Sequence, residues 1–146
     1  MAVMLCPTRG GEASIKNQLK AISIAAERKW KILFLYVSDI EFTHSFSSPV
    51  SVKNVQHELD EMGEFLLTMA QERAENNHVE AEITTRHGSF NQNLHDVIQE
   101  KHIQALFLGS SPEDEGATTL EYIRKLTQAI HEAHGIEVFV SLDGEI

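Results

Sequence analysis

The sequence predicts an α/β fold on a five-stranded, parallel, doubly wound sheet, and three observations carry that prediction. Five apolar runs rich in β-branched and aromatic residues alternate with four helical patterns. Such alternation selects parallel strands joined by right-handed crossovers, with helices on both faces. The run Ile32-Leu33-Phe34-Leu35-Tyr36-Val37 is apolar throughout, as a strand buried on both faces requires. Finally, 146 residues without an internal repeat or a linker fit one domain, residues 1–146, with a full-sized core.

The elements follow in order. Residues 2–6 read as the first strand and 13–29 as a helix with Ile15, Leu19, Ile22 and Ala26 on one face. Residues 31–37 form the second strand. Residues 38–51, holding Phe42, His44, Phe46 and Pro49, read as a loop that can act as a lid or line a small-molecule pocket. A long helix over 52–75 repeats Val55, Leu59, Met62, Leu66 and Met69 as a core stripe. The strand at 80–86 alternates Ala81, Ile83 and Thr85 with Glu80, Glu82 and Thr84, which places it near a sheet edge. Ser89 is the expected N-cap of a helix over 91–101 burying Leu94, Val97 and Ile98. Residues 105–110 form the fourth strand. The last helix, 118–134, uses Leu120, Ile123, Thr127 and Ile130 and stops at Gly135, before the final strand Glu137–Leu142.

Bulk properties narrow the function. Twenty-two acidic against 12 basic residues give a formal charge of −10, which disfavours nucleic acid and anionic membrane as partners. No apolar run approaches a bilayer span, and the short apolar N-terminus has no basic leader. The single cysteine, Cys6, reads as a buried inert thiol in a reducing, cytoplasmic setting. No Gly-x-Ser-x-Gly elbow, CxxC, His-Glu-x-x-His, Walker A lysine motif or dinucleotide fingerprint occurs, so no catalytic set is assigned. Pro7-Thr8-Arg9 after the first strand also excludes a phospho-receiver, which needs acidic residues there.

In doubly wound sheets ligands bind beyond the carboxyl ends of the strands, where strand order reverses. The loops concerned are 7–13, 38–51 and 109–119. After Ala105-Leu106-Phe107-Leu108 the chain runs Gly109-Ser110-Ser111-Pro112-Glu113-Asp114-Glu115-Gly116-Ala117-Thr118-Thr119, a small-residue turn of the kind that cradles phosphate on backbone N–H groups. The acidic run reads either as a divalent-cation site or as a solvated helix entry. Arg9 reads either as an anion clamp or as the partner of that run. His131 and His134, three apart, offer a metal pair with Glu137 or surface positions; His87 and His95 flank the start of the third helix. No metal site is assigned.

These residues resemble the universal stress protein family. The likeness rests on Val3-Met4-Leu5-Cys6-Pro7-Thr8-Arg9-Gly10-Gly11, on Leu33–Val37, on Arg86-His87-Gly88, and on Leu106-Phe107-Leu108-Gly109-Ser110. It implies a HUP/Rossmann-like sheet of order 3-2-1-4-5 and a homodimer through Glu137–Leu142. Pro7, Thr8, Arg9 and Val37 would then face a nucleoside, and Gly109, Ser110, Ser111, Gly116, Ala117 and Thr118 its phosphates.

Nucleotide-binding members carry an aspartate where Arg9 stands and a Gly-x2-Gly-x9-Gly motif followed by Ser or Thr. Here Gly109 fits the first glycine, Pro112 replaces the second, and Gly116-Ala117-Thr118 stands as a displaced third. Proline offers phosphate no N–H. Each carboxylate about 4–6 Å from a phosphate costs on the order of 1–4 kcal/mol, against about 0.3–2 kcal/mol gained from a helix N-terminus. Bridging Mg²⁺ reverses that sign. The expectation is a non-catalytic binding and regulatory module of the stress response with a degenerate nucleotide site and no cofactor. The alternatives are an ATP/AMP-binding switch or weak ATPase using Mg²⁺, and a binder of another small ligand through Arg9 and the 38–51 loop.

Overall fold

In a computed structural model, which describes residues 1–8, 12–38, 49–110 and 120–142, strand and helix alternate along the whole chain. The order is β1 (Val3–Pro7), α1 (Glu12–Arg28), β2 (Lys31–Ser38), α2 (Pro49–Asn76), β3 (Ala81–His87), α3 (Phe90–Glu100), β4 (Ala105–Ser110), α4 (Leu120–His134) and β5 (Glu137–Leu142). The five strands form one sheet in the order β3-β2-β1-β4-β5, every neighbouring pair parallel. The fold class and strand order are therefore those expected, and β3 is the edge strand that its alternation implied.

Two core layers flank the sheet. Met4, Cys6, Phe34, Tyr36 and Phe107 pack against Ala21, Ile22 and Ala25 of α1 and Leu67, Ala70 and Ala74 of α2. On the other face Leu5, Leu33, Leu35, Leu106 and Leu108 meet Leu94, Val97 and Ile98 of α3 and Ile123, Leu126 and Ile130 of α4. Ser89 caps α3 as expected, its hydroxyl accepting from the Gln92 N–H at 3.3 Å.

Two helix faces differ from the expected ones. On α1 the buried stripe is Gln18, Ala21, Ile22 and Ala25, while Ile15 and Leu19 are exposed. On α2 it is Gly63, Leu67, Ala70 and Ala74, one residue later than the expected stripe; Met62 is 48% exposed and is not core. The cause is common to both. Small residues let each helix lie close on the sheet, as where Gly63 sits over the Tyr36 ring and an added Cβ would fall 2.6 Å from Cε1. The larger side chains one position away then flank the contact rather than underlie it. On α4, Leu126 is buried and Thr127 only half-buried. The side chains of Val55 and Leu120 lie outside the described residues.

The helices end by a shared device. Trp30, Val79 and Ile103 donate their N–H groups to Ala25, Ala74 and Ile98 at 2.8, 2.9 and 3.1 Å, and the preceding residues Lys29, His78 and His102 take φ of 59°, 62° and 53°. This is the left-handed C-terminal turn that glycine usually fills, followed by an apolar residue folding back on the core. Only Gly135, after α4, uses glycine, at φ 65°. A left-handed non-glycine residue costs about 1–2 kcal/mol, offset in glycine by about 0.5–1 kcal/mol of backbone entropy. His78→Gly is therefore expected to stabilise the fold by about 0.5–1 kcal/mol. An unchanged or lower urea midpoint would contradict that account.

Candidate functional site

The chain builds β2 and β3 on one side of β1, then crosses to β4 on the other, so strand order reverses between β1 and β4. These two strands pair at Met4–Ala105 and Leu5–Leu106 and no further. Beyond that point β1 continues along β2 to Pro7–Leu35, and β4 along β5 to Ser110–Leu142. Pairing between the central strands thus ends before their last residues, at the carboxyl end of the sheet, where open α/β sheets form a crevice. Such a crevice is the usual ligand position in open α/β sheets.

The wall facing α1 is polar and tightly tied. Thr8, just after β1, donates its N–H to the Leu35 carbonyl at 2.8 Å, which holds it on the β2 side. Its hydroxyl meets Ser14 Oγ at 3.1 Å and accepts from Gln18 Nε2. Gln18, only 2% exposed, accepts in turn from Arg73 Nη1 at 2.8 Å. A polar glutamine is tolerated at the N-terminal end of the α1 stripe because both ends of its amide are bonded. This relay carries the Arg73 guanidinium, on α2, to the end of β1.

Across the crevice, Gly109 lies beneath Asn17 of α1. A Cβ on Gly109 would stand 2.5 Å from Asn17 Cγ and 3.1 Å from its Oδ1. An added side chain there would have to push the Asn17 amide aside. Asn17 Oδ1 is buried without a partner among the described residues. So is the hydroxyl of Ser141, which is fully buried and stands opposite Gly109 in β5. Ser141 alternates with Val138 and Val140, which pack on the α3/α4 face, so it points to the α1 face like Phe139.

The sequence-derived site residues divide accordingly. Thr8 and Gly109 line the α1 face, whereas Val37 packs in the α3/α4 layer and Pro7, by strand alternation, points to that side. Ser110 ends β4, with its side chain outside the described residues. Arg9, Ser111, Pro112, the acidic run 113–115, Gly116, Ala117 and Thr118 also lie outside them, as do Phe42, His44 and Phe46. Asn17, Gln18, Arg73 and Ser141 were not singled out from the sequence. Ser141 was visible only as a polar residue within an otherwise apolar stretch, and Gln18 stands among polar neighbours and carried no signal.

A second polar group edges β2 and β3. Gln56 Nε2 donates to Ser38 Oγ at 3.0 Å and to Asp60 Oδ1 at 2.8 Å, and the same carboxylate meets His87 Nε2 at 2.9 Å. Burial first, and the Asp60 charge second, raise the Tyr36 phenol above its ordinary range. His87 thus turns to α2. His134 pairs with His95 rather than with His131, while His131 bonds the Ile136 carbonyl and Glu137 bonds Arg28. Among the described residues no group of three or more His, Cys, Asp or Glu can hold a metal ion. Cys6 is buried, and burial pushes its thiol up to about 12, which leaves no thiolate near neutrality. Among the described residues no helix is long and apolar enough to cross a membrane.

No protein-family model matches the chain, and no curated protein matches its sequence. Solved structures do. A protein from the universal stress protein family of Burkholderia pseudomallei is 16% identical, with a TM-score of 0.73 over 95% of this chain and 94% of that one. A universal stress protein in complex with cAMP is 14% identical, with a TM-score of 0.62 and 97% of each chain covered. The universal stress protein from Archaeoglobus fulgidus in complex with dAMP is 11% identical, with a TM-score of 0.60 and 96% of each chain covered. Across nearly its whole length, this chain has the fold of the universal stress proteins.

Proposed function

We propose that the chain is a universal-stress-protein-like binding and association module of the stress response. In this reading it is non-catalytic, works in the cytoplasm as a homodimer joined through β5, and keeps a degenerate nucleotide site at the β1–β4 crevice. The observation that carries it is the contrast between the two sheet edges. On β3, Glu82 is bonded to Lys31 at 2.8 Å and Arg86 to Glu100 at 2.8 Å, so charged side chains guard that edge. On β5, Glu137 is drawn to Arg28 and the next five residues, Val138 to Leu142, are uncharged. Charge is a common device against edge pairing, and an uncharged edge accepts a second strand.

The test is association. The wild-type chain is expected to sediment as a dimer, and Val138→Lys to weaken the dimer at least about tenfold, since an edge lysine opposes strand pairing. Circular dichroism unchanged from wild type serves as the folding control. A monomeric wild type, or a Val138→Lys dimer of undiminished affinity, excludes the β5 interface.

A second reading, a nucleotide switch or weak ATPase, draws on two of the similar structures being complexes with cAMP and dAMP. Pro7, Thr8, Arg9 and Val37 would face the nucleoside, with Gly109, Ser110, Ser111, Gly116, Ala117 and Thr118 at the phosphates and Mg²⁺ bridged by Glu113 or Glu115. Calorimetry with ATP, AMP and cAMP, with and without Mg²⁺, separates the two. Submillimolar affinity favours the switch, and no heat favours the degenerate module.

A further inference from the structure

We propose that His95 and His134 form a two-proton latch between α3 and α4 that holds these helices together near neutral pH and releases them on acidification. His95 Nδ1 and His134 Nε2 are 2.8 Å apart, with ring centroids 5.0 Å apart and planes inclined by 38°. A centroid separation that large for so short a contact puts both nitrogens close to the line joining the rings. The contact is therefore an in-plane N–H···N hydrogen bond, not a stack. It also leaves no room for a metal between them, since two metal–imidazole bonds of about 2.0–2.1 Å need a wider gap.

Such a bond has one proton and one lone pair on its axis. One ring must donate and the other accept. A first added proton goes to the far nitrogen of the donor ring; it leaves the axis intact and makes the bond charge-assisted. A second proton can go only to the accepting nitrogen. It removes the lone pair and sets two imidazolium rings facing each other. The latch therefore opens only when the second proton is added.

Among the described residues, the acidic side chains of α3, α4 and β5 named next are bonded to groups other than this pair. On α3, Asp96 accepts from Gln92 and Glu100 is bonded to Arg86; on α4, His131 meets the Ile136 carbonyl and Glu132 accepts from Gln128. At the start of β5, Glu137 is tied to Arg28. The His134 imidazole is held below its ordinary range, by burial first and then by His95. A proton on His134 is thus resisted in the folded chain. The sign follows: the folded chain binds this proton more weakly than the unfolded chain. Its contribution is full above the unfolded imidazole range and is lost as pH falls through the depressed value. Release loosens the layer in which Ile123, Leu126 and Ile130 cover Val138 and Val140 of β5.

Native-state hydrogen exchange on the full chain at pH 7.5 and 5.0, corrected for intrinsic exchange, tests the latch. Protection in 94–98 and 130–134 is expected to fall at least about tenfold, while 21–25 in α1 and 67–74 in α2 change little. His95→Phe, which keeps an aromatic ring and removes the proton site, is expected to abolish that difference. An equal response on both faces of the sheet, or an unchanged response in His95→Phe, overturns the proposal. Should His95→Phe not fold, NMR titration of the wild-type rings decides. Two separated steps felt by both rings support the latch, and two independent single steps refute it.

Discussion

Phe107→Ala is expected to lower the free energy of unfolding by about 3–5 kcal/mol, the usual range for deleting a buried phenylalanine. Phe107 is 1% exposed, sits on β4 in the interior of the sheet, and belongs to the layer under α1 and α2. Its loss removes apolar area and leaves a void that close-packed neighbours cannot collapse into. For a domain of this size each kcal/mol corresponds to about 2–4 °C in the melting temperature. Since total stability is typically about 5–15 kcal/mol, the variant should fold only marginally. Phe65, 63% exposed on α2, is the internal comparison: its alanine variant should cost less than about 1 kcal/mol. Equal urea midpoints for the two variants would contradict the placement of Phe107.

The fold was legible because its signals are local and redundant. Continuous apolar runs marked β2 and β4, alternation marked β3 as an edge, and Ser89 and Gly135 marked helix boundaries. The faces of α1 and α2 were less legible. Periodicity finds the largest side chains, and here the residues in contact with the sheet include Gly63, Ala70 and Ala74. A stripe of small residues leaves almost no hydrophobic signature, so the reading settled one position away, on Met62, Leu66 and Met69. The stops of α1, α2 and α3 fall within one residue of those expected, at Arg28, Asn76 and Glu100, but the geometry of their caps carried no glycine signal. Lys29, His78 and His102 occupy a conformation that sequence reading expects of glycine.

The candidate site was legible as a place rather than as a set of partners. Its position follows from the order of elements alone, because alternating strands and helices fix where the carboxyl ends lie. The side chains that line it come from separate parts of the chain: Thr8 from the end of β1, Gln18 from α1, Arg73 from α2. Their bonds to one another, with Arg73 meeting Gln18 at 2.8 Å, depend on how two helices pack. No spacing in the sequence encodes that. The His95–His134 pair is similar, since the three-residue spacing of His131 and His134 pointed to a partner on the same helix.

Gly109→Ala gives the sharpest test of what this crevice is for. An added Cβ meets Asn17 rather than open space, so the alanine must displace that side chain or part α1 from β4. Because the atoms it meets are the amide end of a flexible side chain, the expected cost is about 1 kcal/mol, the low end for overpacked sites. Asn17→Ala alone should cost little, because Asn17 Oδ1 already lacks a partner among the described residues. In the Asn17→Ala background the glycine substitution should become nearly neutral, giving a coupling of about 1 kcal/mol between the two positions. A glycine kept to let phosphate approach the backbone behaves otherwise. Its alanine variant would keep its stability, lose nucleotide affinity, and show no coupling to Asn17. Urea denaturation of the four-member cycle thus distinguishes a glycine that seats a helix from one that seats a ligand. With the Asn17 amide over its α-carbon, Gly109 is expected to take the first role, and Pro112 and Glu113-Asp114-Glu115 follow it in the sequence.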